Sequence, residues 1–227
     1  MRGISMSSKK PKVIAIIPAR NEERTIGRVL AETKRFVDEI IVIDDASRDQ
    51  TRGVSSKYAM VLSNTKNLGY DKSIGKGVEE ALRKGADIIV TLDADGQHFP
   101  SDIFRLIQPI LSGKAKVACG QRPYPARFME KVFSSYGIKK GINDPLCGMK
   151  AYAAPLIRSI GFFDTISSVG TQLCFAAAKR NFGIANIPIQ LQKRADTPRF
   201  GRKIKANLKL FFAYLRLKKY LNSMPKE

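Results

Sequence analysis

Two aspartates one residue apart, Asp93 and Asp95, stand in the stretch Asp93-Ala94-Asp95-Gly96-Gln97-His98. They follow the apolar run Ala86 to Leu92, which has the length and composition of a buried strand. Alternate carboxylates at the end of such a strand point their oxygens into one space. Hard divalent cations take oxygen ligands and bridge carboxylates to phosphates. A metal held by Asp93 and Asp95, with a further oxygen from Gln97, would stabilise a phosphate-bearing leaving group as its charge develops. The bland alternative is a solvated acidic turn. Placement after a buried strand, with Gly96 and Pro100 shaping the loop, favours the metal.

A second acidic pair, Asp44-Asp45, ends the apolar run Glu39 to Asp44. Beyond Asp102 acids become scarce: only Glu130, Asp144, Asp164, Asp196 and Glu227 follow. Transfer to a hydroxyl calls for a general base, usually a carboxylate, and Asp144 is the best candidate. A phosphate monoester needs none, because its second pKa of about 6 leaves it largely dianionic near neutral pH. It needs cations instead. Arg122, Arg127, Arg199, Arg202 and Lys203 are the expected ones, since a planar guanidinium can hold two phosphate oxygens at once. Gly120 and Gly201 are expected to let the backbone approach the ligand beside them.

The net charge of +20 is unevenly placed. Residues 1–102 hold 17 Lys/Arg against 15 Asp/Glu; residues 103–227 hold 23 against 5. Such a basic half attracts polyanions: nucleic acid, anionic lipid or phosphorylated substrates. Nucleic acid is disfavoured by the lack of any RNA-binding or helix-turn-helix motif and by only 8% aromatic residues for base stacking. The single histidine, His98, rules out a multi-histidine metal site. Cys119, Cys147 and Cys174 show neither metal-ligand spacing nor a disulfide framework, which suggests a reducing compartment. No stretch approaches the roughly 20 apolar residues that span a bilayer. Met1 to Lys12 is polar and basic with no apolar stretch of a signal peptide, so residues 1–11 are expected to be a tail.

The elements that must position these groups follow a βαβ rhythm. Strands are expected at Lys12–Ile17, Glu39–Asp44, Met60–Leu62, Ala86–Leu92, Lys116–Cys119, Met149–Ala153 and Ile184–Leu191. Helices are expected at Glu22–Phe36, Asp49–Lys57, Ser73–Lys84, Ser101–Leu111, Ala126–Tyr136, Ser168–Arg180 and Lys205–Leu221. Continuous apolar strands alternating with helices indicate an α/β fold, a mostly parallel sheet covered on both sides. Ligands of such sheets bind beyond the carboxyl ends of the strands, where both acidic pairs stand. The expected organisation is one domain over 12–204, with a nucleotide-binding half (12–100) and an acceptor half (101–204). A basic amphipathic helix over 205–227 follows. Its Lys205, Lys209 and Arg216 share a stripe, while Leu208, Phe211, Phe212, Tyr214 and Leu215 occupy other faces. That suits a membrane interface, a core helix or a partner-binding helix alike.

Six blocks in order resemble the inverting family-two glycosyltransferases, whose fold is the Rossmann-like GT-A fold. They are Ile17-Pro18-Ala19-Arg20-Asn21-Glu22-Glu23, Val42-Ile43-Asp44-Asp45-Ala46-Ser47, Asn67-Leu68-Gly69, the Asp93–His98 run, Gly120-Gln121-Arg122, and Asp144-Pro145-Leu146-Cys147-Gly148-Met149. The form of the Asp93–His98 run is most similar to the polyprenyl-phosphate (dolichyl-phosphate) hexose synthases. The resemblance spans roughly residues 12–204 and is looser in the second half. It implies a nucleotide-sugar site with Pro18, Ala19, Arg20 and Glu22 around base and ribose, Asp44 and Asp45 on the nucleobase edge, and Ala94 alongside. It implies Mg2+ or Mn2+ on Asp93, Asp95 and Gln97, with Asp95, Asp144 and Arg122 as the catalytic group. The donor would be a GDP- or UDP-hexose and the acceptor a polyprenyl or dolichyl phosphate. The enzyme would be peripheral on the cytoplasmic face of an anionic membrane, with a membrane-anchoring protein as a further partner. Two departures stand out. The late loop Arg199-Phe200-Gly201-Arg202-Lys203 lacks the family's serine, and Ser168–Gln172 lacks its acidic residue. The rival within the enzyme class is a soluble glycosyltransferase acting on a glycan or protein hydroxyl with Asp144 as base.

Overall fold

The computed structural model describes residues 10–123, 128–161, 163–166, 170–192 and 203–224, with the side chains of 203–206 left out. Among these, seven strands form one sheet in the order β3-β2-β1-β4-β6-β5-β7. The strands are β1 (Val13–Ala19), β2 (Glu39–Asp44), β3 (Met60–Ser63), β4 (Ile88–Thr91), β5 (Val117–Gln121), β6 (Lys150–Ala153) and β7 (Ile184–Pro188). All pairings are parallel except those of β6, which runs antiparallel to both β4 and β5. The fold is therefore a mostly parallel α/β sheet flanked by helices.

Side-chain alternation explains why the strands read as continuous apolar runs. Ile14, Ile16, Ile41 and Ile43 enter one core, while Val13, Ala15, Ile17, Ile40 and Val42 enter the other. Period two sends neighbours to opposite faces, and both faces are covered. The first face receives α3 (Tyr70–Arg83), α7 (Thr171–Lys179) and α8 (Lys203–Ser223), with Phe133 of α5 (Phe128–Ile138) buried among them. The second receives α1 (Ile26–Thr33) and α4 (Asp102–Leu111). α2 (Thr51–Ser55) and α6 (Ala154–Ile160) are short.

Some boundaries differ from expectation. The first helix starts at Ile26 rather than Glu22, because the Glu22 carbonyl closes a separate turn with the amides of Thr25 and Ile26. α3 starts at Tyr70, three residues early, directly after Gly69 at φ 88°. α6 was not expected from the pattern at all. The last helix begins at Lys203 rather than Lys205. No helix of the described residues is long and apolar enough to cross a membrane.

Candidate active site

The parallel strands β1 to β4 end on the same edge of the sheet, and antiparallel β6 begins there. That edge gathers both acidic pairs. Beyond β4, residues alternate: Asp93, Asp95 and Gln97 are half-buried and Ala94, Gly96 and His98 buried, so Asp93 and Asp95 each stay partly exposed. Asp93 Oδ1 accepts the Tyr70 phenol at 2.6 Å. Burial, then the charge of Asp93 and its bond, pushes the Tyr70 phenol well above its ordinary pKa and keeps it a donor. Asp95 Oδ1 accepts the Gln97 amide at 3.0 Å, tightening the turn that Gly96 makes at φ 73°. The Asp93 amide faces His98 Nδ1 at 3.4 Å, so the histidine braces the turn from inside.

Gly148 closes over this carboxylate. A β-carbon there would lie 2.6 and 2.7 Å from the two Asp93 oxygens, so only glycine leaves Asp93 room. Thr91 Oγ1 donates to the Gly148 carbonyl at 2.8 Å and fixes that approach. On the other side, Thr25 Oγ1 donates to the Ala94 carbonyl at 2.8 Å and lies 3.3 Å from Glu22 Oε2. The block around Glu22 is thereby tied to the aspartate turn.

The residues fit a divalent ion of the kind that borrows ligands from its substrate. No group of three or more His, Cys, Asp or Glu converges among the described residues. Two partly exposed carboxylates would leave most coordination positions to phosphate and water oxygens, the arrangement Mg2+ favours. The chemistry of the donor set is all-oxygen, which suits Mg2+ or Mn2+.

Next to this turn, on the same edge of the sheet, stand the ends of β1 and β2. Pro18 and Ala19 end β1, and Ala19 pairs with Asp44 of β2. Arg20 carries a buried Nε with no hydrogen-bond partner among the described residues. Glu22 is buried, and its amide donates to Thr51 Oγ1 at 2.6 Å. Asp44 Oδ1 accepts the Ser47 amide at 3.3 Å. Asp45 accepts three donors: Asn64 Nδ2 at 3.0 Å, the Leu68 amide at 2.8 Å and the Gly69 amide at 2.9 Å. A carboxylate has about four acceptor positions, and these three donors, among the described residues, fix how Asp45 is turned. Asn21 and Ala46 hold positive φ angles of 50° and 56° at these strand ends. Strain of this sort concentrates where a loop must be held for a ligand.

The third group gives Arg122 a different first partner from the one expected. Its Nε and Nη2 clamp Asp144 at 2.7 and 3.0 Å, and its amide donates to the same carboxylate at 3.1 Å. Nη2 also reaches Glu130 at 3.3 Å. Burial works to lower the Arg122 pKa, but the bond to and charge of Asp144 outweigh it and raise the guanidinium above its ordinary value. Two buried carboxylates, Asp144 and Glu130, thus hold this cation through Nε and Nη2, with the side chain 17% exposed. Gly120 is corrected as well: its missing β-carbon makes room for the Met149 carbonyl at 2.8 Å and for Cys147 Sγ. It serves sheet packing, not ligand approach.

Arg127, Arg199, Gly201 and Arg202 lie outside the described residues, as does the side chain of Lys203. The segment leading toward them is nonetheless anchored on the aspartate turn. The Gln192 amide donates to the Gln97 carbonyl at 2.8 Å, His98 bridges Leu191, and Arg28 Nη1 donates to Gln192 Oε1 at 3.2 Å. Tyr70, Gly148 and Thr25 were not among the expected site residues. Tyr70 and Gly148 each stand in or beside a block already quoted, and only packing shows that they touch Asp93.

Residues 14–142 match the model of the glycosyl transferase family 2. The chain is 30% identical to an undecaprenyl-phosphate mannosyltransferase of Micrococcus luteus, over 81% of this chain and 84% of that one. It is 26% identical to a UDP-N-acetylglucosamine–dolichyl-phosphate N-acetylglucosaminyltransferase of Methanococcus voltae, over 91% of this chain and 96% of that one. Its fold is similar to that of glucosyl-3-phosphoglycerate synthase from Mycobacterium tuberculosis, solved with Mn2+, UDP and glucosyl-3-phosphoglycerate. The TM-score is 0.75 at 20% identity, covering 95% of this chain and 81% of that one.

Proposed function

Because this chain belongs to glycosyl transferase family 2, we propose that it moves a hexose, mannose or glucose, from a GDP- or UDP-linked donor to a polyprenyl phosphate. Relatives named for transfer to undecaprenyl and dolichyl phosphate support that acceptor class. Mg2+ or Mn2+ bound at Asp93 and Asp95, with Gln97 beside them, would offset the charge that leaves with the nucleoside diphosphate. Tyr70 orients Asp93 for this role and Gly148 keeps its carboxylate uncovered. The buried Nε of Arg20, without a partner among the described residues, suits a ribose or phosphate oxygen. Pro18, Ala19, Glu22 and Ala94 would wall the nucleoside, and Asp44 and Asp45 would meet its base edge.

A phosphate oxygen of the acceptor would attack the anomeric carbon while the bond to the diphosphate breaks and its electron pair leaves with the nucleotide, inverting that carbon. Arg127, Arg199, Arg202 and Lys203 are the cations proposed to hold the acceptor. The observation that carries this reading is the clamp of Arg122 on Asp144. Both oxygens of that carboxylate are engaged by Arg122, which leaves it badly placed to meet an acceptor hydroxyl. An acceptor that arrives ionised needs no base. The enzyme would act as a peripheral protein at the cytoplasmic face of a membrane, where such a lipid is presented.

The test is thermal stabilisation by GDP- and UDP-sugars with and without Mn2+ or Mg2+. A ligand at 100 times its dissociation constant adds about 2.7 kcal/mol. One nucleotide class should stabilise, and only with metal. No stabilisation by any nucleotide sugar would overturn the donor reading.

A further inference from the structure

Helix α8 is apolar on two opposite sides. Ala213, Leu217 and Leu221 are buried in the core with α5 and α7. Leu208, Phe211, Phe212 and Leu215 are 54%, 42%, 52% and 45% exposed. At 100° per residue these four fall within a stripe about 100° wide, facing away from the buried side. Lys209 and Arg216 are exposed along one flank of it. On the other flank, the groove between α5 and α8 is lined by Lys131, Tyr136, Lys139 and Tyr214.

This outward stripe of two phenylalanines and two leucines stays exposed among the described residues, and exposed apolar surface of this kind marks an interaction site. Its flanks identify the partner. Both carry cations, in a half of the chain where Lys and Arg outnumber Asp and Glu by 23 to 5. Apolar rings bordered by cations match the boundary between acyl chains and anionic headgroups. We propose that this outer face of α8 seats the protein on an anionic bilayer, the Phe211 and Phe212 rings at the acyl boundary and Lys209 and Arg216 at the headgroup phosphates. The helix thus joins two roles: its inner face completes the core and its outer face docks.

The proposal concerns where the transferase works and is tested without any acceptor lipid, so its failure leaves the transfer chemistry standing. The full chain is sedimented with vesicles of phosphatidylcholine alone and of phosphatidylcholine mixed with phosphatidylglycerol. Binding should require the anionic lipid and weaken with salt. The double variant Phe211→Ser/Phe212→Ser should bind about tenfold more weakly. Lys209→Gln and Arg216→Gln should each cost about fivefold. All variants should keep the wild-type thermal midpoint and nucleotide affinity. Failure of the wild type to bind anionic vesicles, or undiminished binding by the serine variant, would overturn the proposal. So would light scattering that finds a dimer which the serine variant splits into monomers, since the stripe would then be covered by a second copy.

Discussion

Asp95 carries the clearest residue-scale expectation. Asp95→Ala should cut turnover at least about a hundredfold, because Lewis-acid stabilisation of a leaving diphosphate is worth several kcal/mol. Nucleotide affinity should also stop responding to Mn2+. Near-normal turnover in Asp95→Ala would remove the metal from the account. Tyr70 tests how Asp93 is held. Tyr70→Phe should weaken Mn2+ affinity by about 10–100-fold, the usual cost of losing a hydrogen bond behind a ligand. Since the phenol is pushed above its ordinary value, Mn2+ affinity should show no tyrosine titration below about pH 10. Calorimetry in the presence of nucleoside diphosphate reads both. Unchanged affinity in Tyr70→Phe would reduce the phenol to a space-filler. Gly148→Ala should abolish metal-dependent nucleotide binding, since its methyl would sit on the Asp93 oxygens.

At the scale of elements, packing separates what must be apolar from what merely is. Gly77 of α3 lies so close to β1 and β2 that a β-carbon would meet Ile16 and Ile43 at 2.5 Å. Gly77→Ala should cost about 1–3 kcal/mol in a denaturant melt through overpacking. Leu217→Ala on the inner face of α8 should cost about 2–5 kcal/mol. The exposed Phe212→Ser should fall within about 0.5 kcal/mol of wild type. Equal costs at Leu217 and Phe212 would contradict the two-sided reading of α8. The same contrast explains what was legible in the sequence. β2 was read to the residue because both its faces are buried and its apolar run is unbroken. α3 was read three residues short because Tyr70, Asp71 and Lys72 carry no helical apolar pattern; a left-handed glycine, not periodicity, sets its start. α6 follows β6 without a loop, and at seven residues it is too short for apolar periodicity to show, although Pro155 in its first turn and Gly161 just past its end mark its bounds. The motif residues Asp44, Asp45, Asp93 and Asp95 were legible because strand ends can be located. Tyr70 and Gly148 were not, since each reaches Asp93 from another part of the chain. The partnership of Arg122 with Asp144 was hidden for the same reason.

Over the whole molecule, chemistry and charge divide along the chain. The near-neutral first half carries the acidic pairs and the buried Nε of Arg20. The strongly basic second half carries the proposed acceptor cations and the docking face. Acid-poor and base-rich is the composition that an ionised phosphate acceptor calls for, and Arg122 engages both oxygens of Asp144, the candidate base. The most direct test is transfer itself. The protein is incubated with GDP- or UDP-hexose, polyprenyl phosphate and Mn2+ or Mg2+, and lipid-linked hexose is measured across pH. The account predicts a metal-dependent hexosyl phospholipid. Its rate should rise near the phosphate's second pKa of about 6 and then stay flat, and Asp144→Asn should retain substantial activity. Transfer to a free hydroxyl instead, indifferent to polyprenyl phosphate and abolished by Asp144→Asn, would contradict it.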